Sequence, residues 1–367
     1  GSCKRKSSST NIESLPDELM FEILLHLPAD DIYGGAAFVC KKWRDLTRDR
    51  NFINEHIHRS TPGLVVQFQR QTENAVFLAM RRGRFEISKF SNYNFKHLLR
   101  ASCNGLLIEC DTANGCASFV VNPSTNRRLR IPPGYYSSIA YASASMSYKV
   151  VSGSTQYDKP EELGCVIWTV GVDKSWRTVC TEHLSLATRR ILNTTPLTTE
   201  GFVHWSSPES GHILTLNIET EVITEIPVPK GYERGWKFYL STGTSLTFLT
   251  AMGWFSFEVW ELRQETGEWT KLHDIELDCQ VLGFVYLNRL IDFSLVPLAP
   301  PNCSTATVNP VGWLNCKEAL VLHAFPTRLC FVHIVRTREI DFFELGHDFD
   351  SYNFIAHRNS LVRLGRC

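Results

Sequence analysis

HILTLNIETEVITEIPVP, residues 212–229, alternates apolar and polar side chains, bends once near Thr220, and alternates again. That is the pattern of two half-buried antiparallel strands joined by a polar turn. Five further stretches repeat it. FLAMRRGRFEISKF (77–90) turns near Gly83, ASFVVNPSTNRRLRIPP (117–133) at Pro123 to Asn126, and CVIWTVGVDKSWRTV (165–179) near Asp173. FEVWELRQETGEWTKLHDI (257–275) turns at Thr266-Gly267 and LCFVHIVRTREIDFFEL (329–345) near Thr337. The turns are about 40 to 50 residues apart, the repeat length of a four-stranded propeller blade. A last gap of about 70 holds the Pro-rich PLAPPNCSTATVNP. Six hairpins predict six blades, each hairpin being the outer half of its sheet. Trp168, Trp176, Trp205, Trp260 and Trp269 fall on these strands and are expected to fill the space between neighbouring sheets. A large β-sandwich, or two stacked β domains, is the alternative reading of the same alternation.

Near the start the period changes. SLPDELMFEILLHLPADD, beginning at Ser14, sets Pro16, Leu19, Ile23, Leu24 and Leu27 at helical spacing. Ser14 is a candidate cap, and Pro16, Asp17 and Glu18 suit a first helical turn. Pro28 stops that helix, Asp30 or Asp31 can cap the next, and a further helix carries Val39, Cys40, Trp43 and Leu46. Lys41, Lys42, Arg44 and Asp45 lie on its outer face. Three short helices cannot bury so much apolar surface among themselves. The stripe needs a partner. The fold expected is therefore a two-part α+β chain: a small helical unit at residues 12–58, then a mainly β domain at 61–367 built as a six-bladed propeller. Residues 1–11 read as a tag-cleavage scar (Gly1-Ser2) and a disordered tail.

Composition narrows the function. Of 367 residues, 43% are hydrophobic and 21% charged, and the formal net charge is zero. No electrostatic case exists for nucleic acid or an anionic membrane as partner. The 12 cysteines are scattered without a CxxC pair, so they read as buried thiols of a reducing compartment rather than disulfides or metal ligands. No apolar run has the length of a membrane span and no signal peptide is visible. These features predict a soluble protein of the cytoplasm and/or nucleus, Lys4-Arg5-Lys6 being a short candidate import signal.

SLPDELMFEILLHLPADDIYGGAAFVCKKWRDL resembles an F-box: Leu15-Pro16, Leu27-Pro28 and the Val39-to-Trp43 run stand at that motif's separations. It departs at Gly34-Gly35-Ala36-Ala37, where the family carries larger residues, and a looser second helix is expected there. VVNPSTNRRLRIPP, GFVHWSSPESGHILTLNIETEVITEIPVP and FEVWELRQETGEWTKLHDI are similar, in order, to signatures of the F-box-associated (FBA) domain common in plant proteins. The resemblance implies the substrate-recruiting subunit of a Skp–cullin–F-box ubiquitin ligase. The Skp adaptor, which joins the chain to cullin and a RING subunit, is then the expected partner of Leu15, Pro16, Leu19, Ile23, Leu24, Leu27, Pro28, Val39, Cys40 and Trp43. The target protein is not legible.

No catalytic residue is expected. The chain has no GxSxG, HExxH, P-loop or Rossmann fingerprint, and the pair His347-Asp348 reads as a solvated loop. The contribution expected is proximity, with the thioester chemistry belonging to the conjugating enzyme. No metal and no cofactor is expected, a small molecule in the propeller channel being the alternative. Target-binding candidates are aromatic loops: Tyr135 and Tyr136; Tyr232, Arg234 and Trp236, flanked by glycines as in a projecting loop; and Trp254 and Phe255. The Pro-rich residues 299–310 are a further candidate. Two other functional readings stand beside this one. One is an S-locus-type F-box receptor for secreted ribonucleases, which the neutral charge disfavours. The other is a propeller lectin or enzyme with an appended helical segment.

Overall fold

The computed structural model describes residues 15–69, 71–91, 93–111, 117–132, 135–154, 163–207, 210–232, 237–252, 256–277, 307–325, 327–346 and 351–364. The β region forms six four-stranded antiparallel sheets. Blade I contains β1 (Gly63–Phe68), β2 (Ala75–Arg81) and β3 (Arg84–Lys89). Blade II is β4 (Leu98–Cys103), β5 (Leu106–Asp111), β6 (Ala117–Asn122) and β7 (Arg127–Ile131). Blade III is β8 (Tyr135–Ala142), β9 (Ser147–Ser154), β10 (Gly164–Thr169) and β11 (Arg177–Val179). Blade IV is β12 (Leu197–Thr199), β13 (Phe202–Trp205), β14 (His212–Asn217) and β15 (Val222–Pro227). Blade V is β16 (Lys237–Ser241), β17 (Leu246–Ala251), β18 (Ser256–Arg263) and β19 (Glu268–Glu276). Blade VI is β20 (Thr307–Leu314), β21 (Ala319–Phe325), β22 (Leu329–Ile334) and β23 (Ile340–Glu344).

The last strand, β24 (Tyr352–His357), returns to pair with β1, from Gly63 opposite His357 to Phe68 opposite Tyr352. It supplies the inner strand of blade I. The inner strands touch in a ring, β24–β4–β8–β12–β16–β20 and back to β24. This is a six-bladed β-propeller, and each of the six hairpins read from sequence is the outer half of a blade.

One apolar cluster fills each seam between blades. Phe77 meets Leu99 and Leu107 between blades I and II, and Ile108 and Ile139 meet Trp168 between II and III. Ile167 meets Trp205 between III and IV, and Ile213 and Leu246 pack with Trp269 between IV and V. Phe257 and Phe331 enclose Trp313 between V and VI, and Leu64 meets Val332 between VI and I. Each large side chain removed from water contributes about 1.5–3 kcal/mol, so the seams hold the ring. Trp260 departs from expectation: it lies against Tyr232, with ring centroids 5.6 Å apart.

The helical unit has four helices: α1 (Asp17–Leu25), α2 (Ala29–Gly34), α3 (Lys41–Leu46) and α4 (Arg50–Arg59). Pro28 occupies the cap position of α2, so Asp30 and Asp31 sit in its first turn instead of capping it. There they complement the positive end of the helix dipole. The glycine pair ends α2, and the chain passes into a single 3-10 turn at Ala36–Phe38. Cys40 caps α3, its Sγ accepting from the Trp43 amide at 3.5 Å, and Asp49 caps α4 through the Asn51 and Phe52 amides. Met20, Leu24, Leu25, Ile32, Trp43 and Phe52 form the core, and Leu361 from beyond β24 completes it.

Candidate functional site

α1 is apolar on more than one side, and the fold sorts the two stripes. Met20 and Leu24 point inward, where Trp43 Nε1 donates to Met20 Sδ at 3.2 Å. Leu24 and Trp43, expected from sequence at the adaptor surface, are core residues of the unit instead. Leu19 and Ile23, one helical turn apart, share an outward row and are 53% and 42% exposed. Val39 is 51% exposed, Pro16 and Pro28 are exposed, and Leu15, Leu27 and Cys40 are half-buried. Phe38, at 76%, is the most exposed large apolar side chain among the described residues and was missed by sequence reasoning. Four of the 11 exposed large hydrophobics described fall within residues 19–39, and those elsewhere are spread thinly over the propeller. Charged contacts fix the frame beneath them: Lys42 pairs with Asp17, and Arg59 with Glu22 and Glu55, both at 2.9 Å.

The tail after β24 ties this unit to the propeller. Ser60 Oγ donates to the Asn359 carbonyl at 2.9 Å, and Ser360 Oγ to the Asn104 carbonyl at 2.6 Å. Buried Asn122 donates from Nδ2 to the carbonyls of Ser360 (3.1 Å) and Val362 (2.6 Å). Leu361 enters the helical core, while Val362 joins Ile57 of α4 against the seam holding Trp168. Gly105, with φ of +83°, lets the tail pass: a Cβ there would stand 2.1 Å from Ser360 Oγ. One segment thus closes the ring and seats the helices.

The two ends of the channel differ. The inner strands end, at their C-terminal side, around a cavity of about 570 Å³ lined by Asn104, Ser143, Glu200, Thr242 and His357 and roofed by Ile57 and His58 of α4. The helices therefore occupy this mouth. Antiparallel pairing sends the other connections, leading into the inner strands and from second to third strands, to the opposite face. β8, β16 and β20 start on that face, and β17 ends on it. The side chains of Tyr135 and Tyr136, together with Arg234, Trp236, Trp254, Phe255 and residues 299–306, lie outside the described residues. Tyr232 is described, and it does not project. Its hydroxyl donates to the Glu258 carboxylate, its ring faces Trp260 and Phe248, and Lys271 Nζ meets Glu258 at 2.7 Å. It braces blade V.

Among the described residues no group of three or more His, Cys, Asp or Glu is arranged to hold a metal. No described helix is long and apolar enough to cross a membrane.

The class of protein this fold defines is a small helical unit fixed to one face of a six-bladed propeller. Residues 12–55 match the family model of the F-box domain. The chain is similar to F-box/LRR-repeat/kelch-repeat protein At2g27520 of Arabidopsis thaliana, 27% identical over 60% of this chain and 62% of the relative. It is also similar to F-box protein At5g49610 of the same plant, 22% identical over 72% of this chain and 79% of the relative. The chain thus spans less than two thirds of the length of the first of these. Among solved structures it is similar to TolB from Acinetobacter baumannii (9% identity, TM-score 0.45, 86% of this chain and 72% of that one). It is also similar to a chain of a nidogen/laminin complex (10% identity, TM-score 0.44, 80% and 98%).

Proposed function

We propose that this chain is the substrate-recognition subunit of a Skp–cullin–F-box ubiquitin ligase, and that its propeller is the FBA domain its sequence resembles. The observation that carries this reading is the four exposed apolar side chains Leu19, Ile23, Phe38 and Val39 on an F-box that has a buried core of its own. Apolar side chains concentrated on so small a unit mark a protein interface. The Skp adaptor covers them. The face of the propeller turned away from the F-box takes the target, because the tail and α4 occupy the other mouth. The chain supplies geometry, holding a target lysine near activated ubiquitin at high effective concentration.

The test is affinity purification of the intact chain from plant cells with the proteasome blocked. A Skp adaptor, a cullin and a RING subunit are expected together with one or more targets that accumulate under the block. Recovery of the folded chain without any Skp adaptor would overturn the assignment.

A further inference from the structure

The core of the helical unit is not made by its helices alone. Among the described residues, every member of that core lies within residues 15–53 except Leu361, which is 4% exposed. Leu361 follows the ring-closing strand β24, and the nearby bond from Ser60 Oγ to the Asn359 carbonyl joins residues 299 positions apart. A helical unit of about 50 residues is marginal alone. Chains are also made from the N-terminus, so α1 to α4 exist long before the side chain that completes their core.

α4 stands between this tail and the adaptor row. On the tail side, Arg358 Nη1 donates to the Ile57 carbonyl at 3.5 Å, Ser60 holds Asn359, and Ile57 packs with Val362. On the other side, the Phe52 ring meets Phe21 of α1 edge to face, with centroids 5.2 Å apart. Arg59 pairs with Glu22 of α1 at 2.9 Å, and His56 Nε2 donates to the Leu27 carbonyl at 2.9 Å. Phe21 and Glu22 lie between Leu19 and Ile23, the outward row. Ile53 of α4 packs with both the helical core and the seam that holds Val362.

The tail's other contacts belong to the propeller. Asn122 and Asn104, which grip Ser360 and Val362, come from blade II, and β24 must already be paired in blade I to deliver the segment. The tail therefore docks only on a closed ring.

We propose that the tail is a completion latch: the F-box takes its adaptor-binding form only when residues 358–362 are docked, so a chain enters the ligase after its propeller has closed. This inference rests on adaptor docking as set out under the proposed function. The two states are tail docked and tail free. In the free state the helical core lacks Leu361, α4 loses its bonds to Arg358 and Asn359, and α1 loses the firm support beneath Leu19 and Ile23. Apparent adaptor affinity then falls with the docked fraction. Linkage is reciprocal, so the adaptor must in turn hold the tail down. Ser360, Leu361 and Val362 are buried, so the adaptor does this without touching them.

The experiment uses the full-length chain and a Skp adaptor, with two readouts. The first is the adaptor Kd of immobilised wild type, Leu361→Asp and Leu361→Met. A carboxylate is not buried unpaired in an apolar core, so Leu361→Asp frees the tail, whereas methionine refills the site. Leu361→Asp should weaken the adaptor about tenfold or more, and Leu361→Met should bind as wild type does. The second is hydrogen exchange of residues 358–364 in wild type, free and saturated with adaptor. Exchange there should slow about tenfold or more on binding. A side chain that only stabilises the fold would lower the melting temperature and leave this exchange indifferent to the adaptor. Unchanged exchange, or wild-type affinity in a folded Leu361→Asp chain, overturns the latch and leaves the proposed function standing. Failure of wild type to bind any Skp adaptor overturns both.

Discussion

The side-chain amide of Asn122 donates to the main-chain carbonyl of Val362 at 2.6 Å, joining the outer hairpin of blade II to the tail that seats the F-box. Both residues are buried. Asn122 opens the NPST turn and clamps the C-terminal segment. Asn122→Ala leaves the Ser360 and Val362 carbonyls without this donor. A loss of about 2–4 kcal/mol is expected from two orphaned buried contacts. Denaturant unfolding measures it, and limited trypsin digestion should show faster cleavage at Arg358 and Arg363.

Ring closure rests on β24 alone for the inner strand of blade I. Deleting residues 352–367 exposes β1 as a bare edge, opens the seam holding Ile355 and removes Leu361 from the helical core. The truncated chain is expected to aggregate on expression. Size-exclusion chromatography decides the matter, and a monodisperse truncate with an unchanged melting temperature would contradict closure through this strand.

The two rows of α1 should separate stability from binding. Leu24→Ala empties a buried site, and a cost of about 2–5 kcal/mol is expected, visible as a lower denaturation midpoint. Ile23→Ala removes an exposed side chain and should shift that midpoint by about 0.5 kcal/mol or less. A Leu24→Ala variant as stable as wild type would contradict the packing described.

How much of this was legible depended on whether a residue's surroundings leave a pattern in the chain. The outermost strands face solvent on one side, and β15 keeps a partial alternation of burial. Strands inside the sheets do not, even within an outer hairpin: β5 and β22 are buried at every position, so periodicity cannot mark their ends. The F-box motif implied a partner-binding face, but DELMFEILL has apolar residues on adjoining rows, and only packing against Trp43 and Phe52 selects the inward one. Phe38 follows a glycine pair and ends a 3-10 turn, where no helical period runs, so nothing in the spacing marked it. Tyr232 looked like a projecting loop aromatic because Glu258, its hydrogen-bond partner, is distant in sequence.

Acid should destabilise the propeller through buried histidines. His357 accepts at Nδ1 from Ser102 and donates from Nε2 to Asn359, and burial pushes its pKa down to about 4. His204, between Thr199 and Thr215, is pushed down by burial to about 3. The unfolded chain takes up these protons near the ordinary value of 6.5. Stability from the neutral rings is thus whole above that pH. It falls as pH drops towards the folded values, by about 1.4 kcal/mol per pH unit per histidine. Melting temperatures between about pH 7.5 and pH 5 should decline, and His357→Gln should flatten the decline. A wild-type melting temperature constant across that range would contradict the burial of these rings as neutral groups.

The central claim is that the outward row of α1 docks the adaptor. Its most direct measurement is the amount of Skp adaptor retained when tagged full-length chain and untagged adaptor are co-expressed and purified, for wild type and for Leu19→Asp with Ile23→Asp. Circular dichroism melting of both preparations controls for the fold. Near-stoichiometric adaptor is predicted with wild type. The double variant should lose on the order of a hundredfold in affinity, as when two interface anchors are removed, and so purify without adaptor while melting at the wild-type temperature. A folded double variant that retains the adaptor at the wild-type ratio would contradict the account.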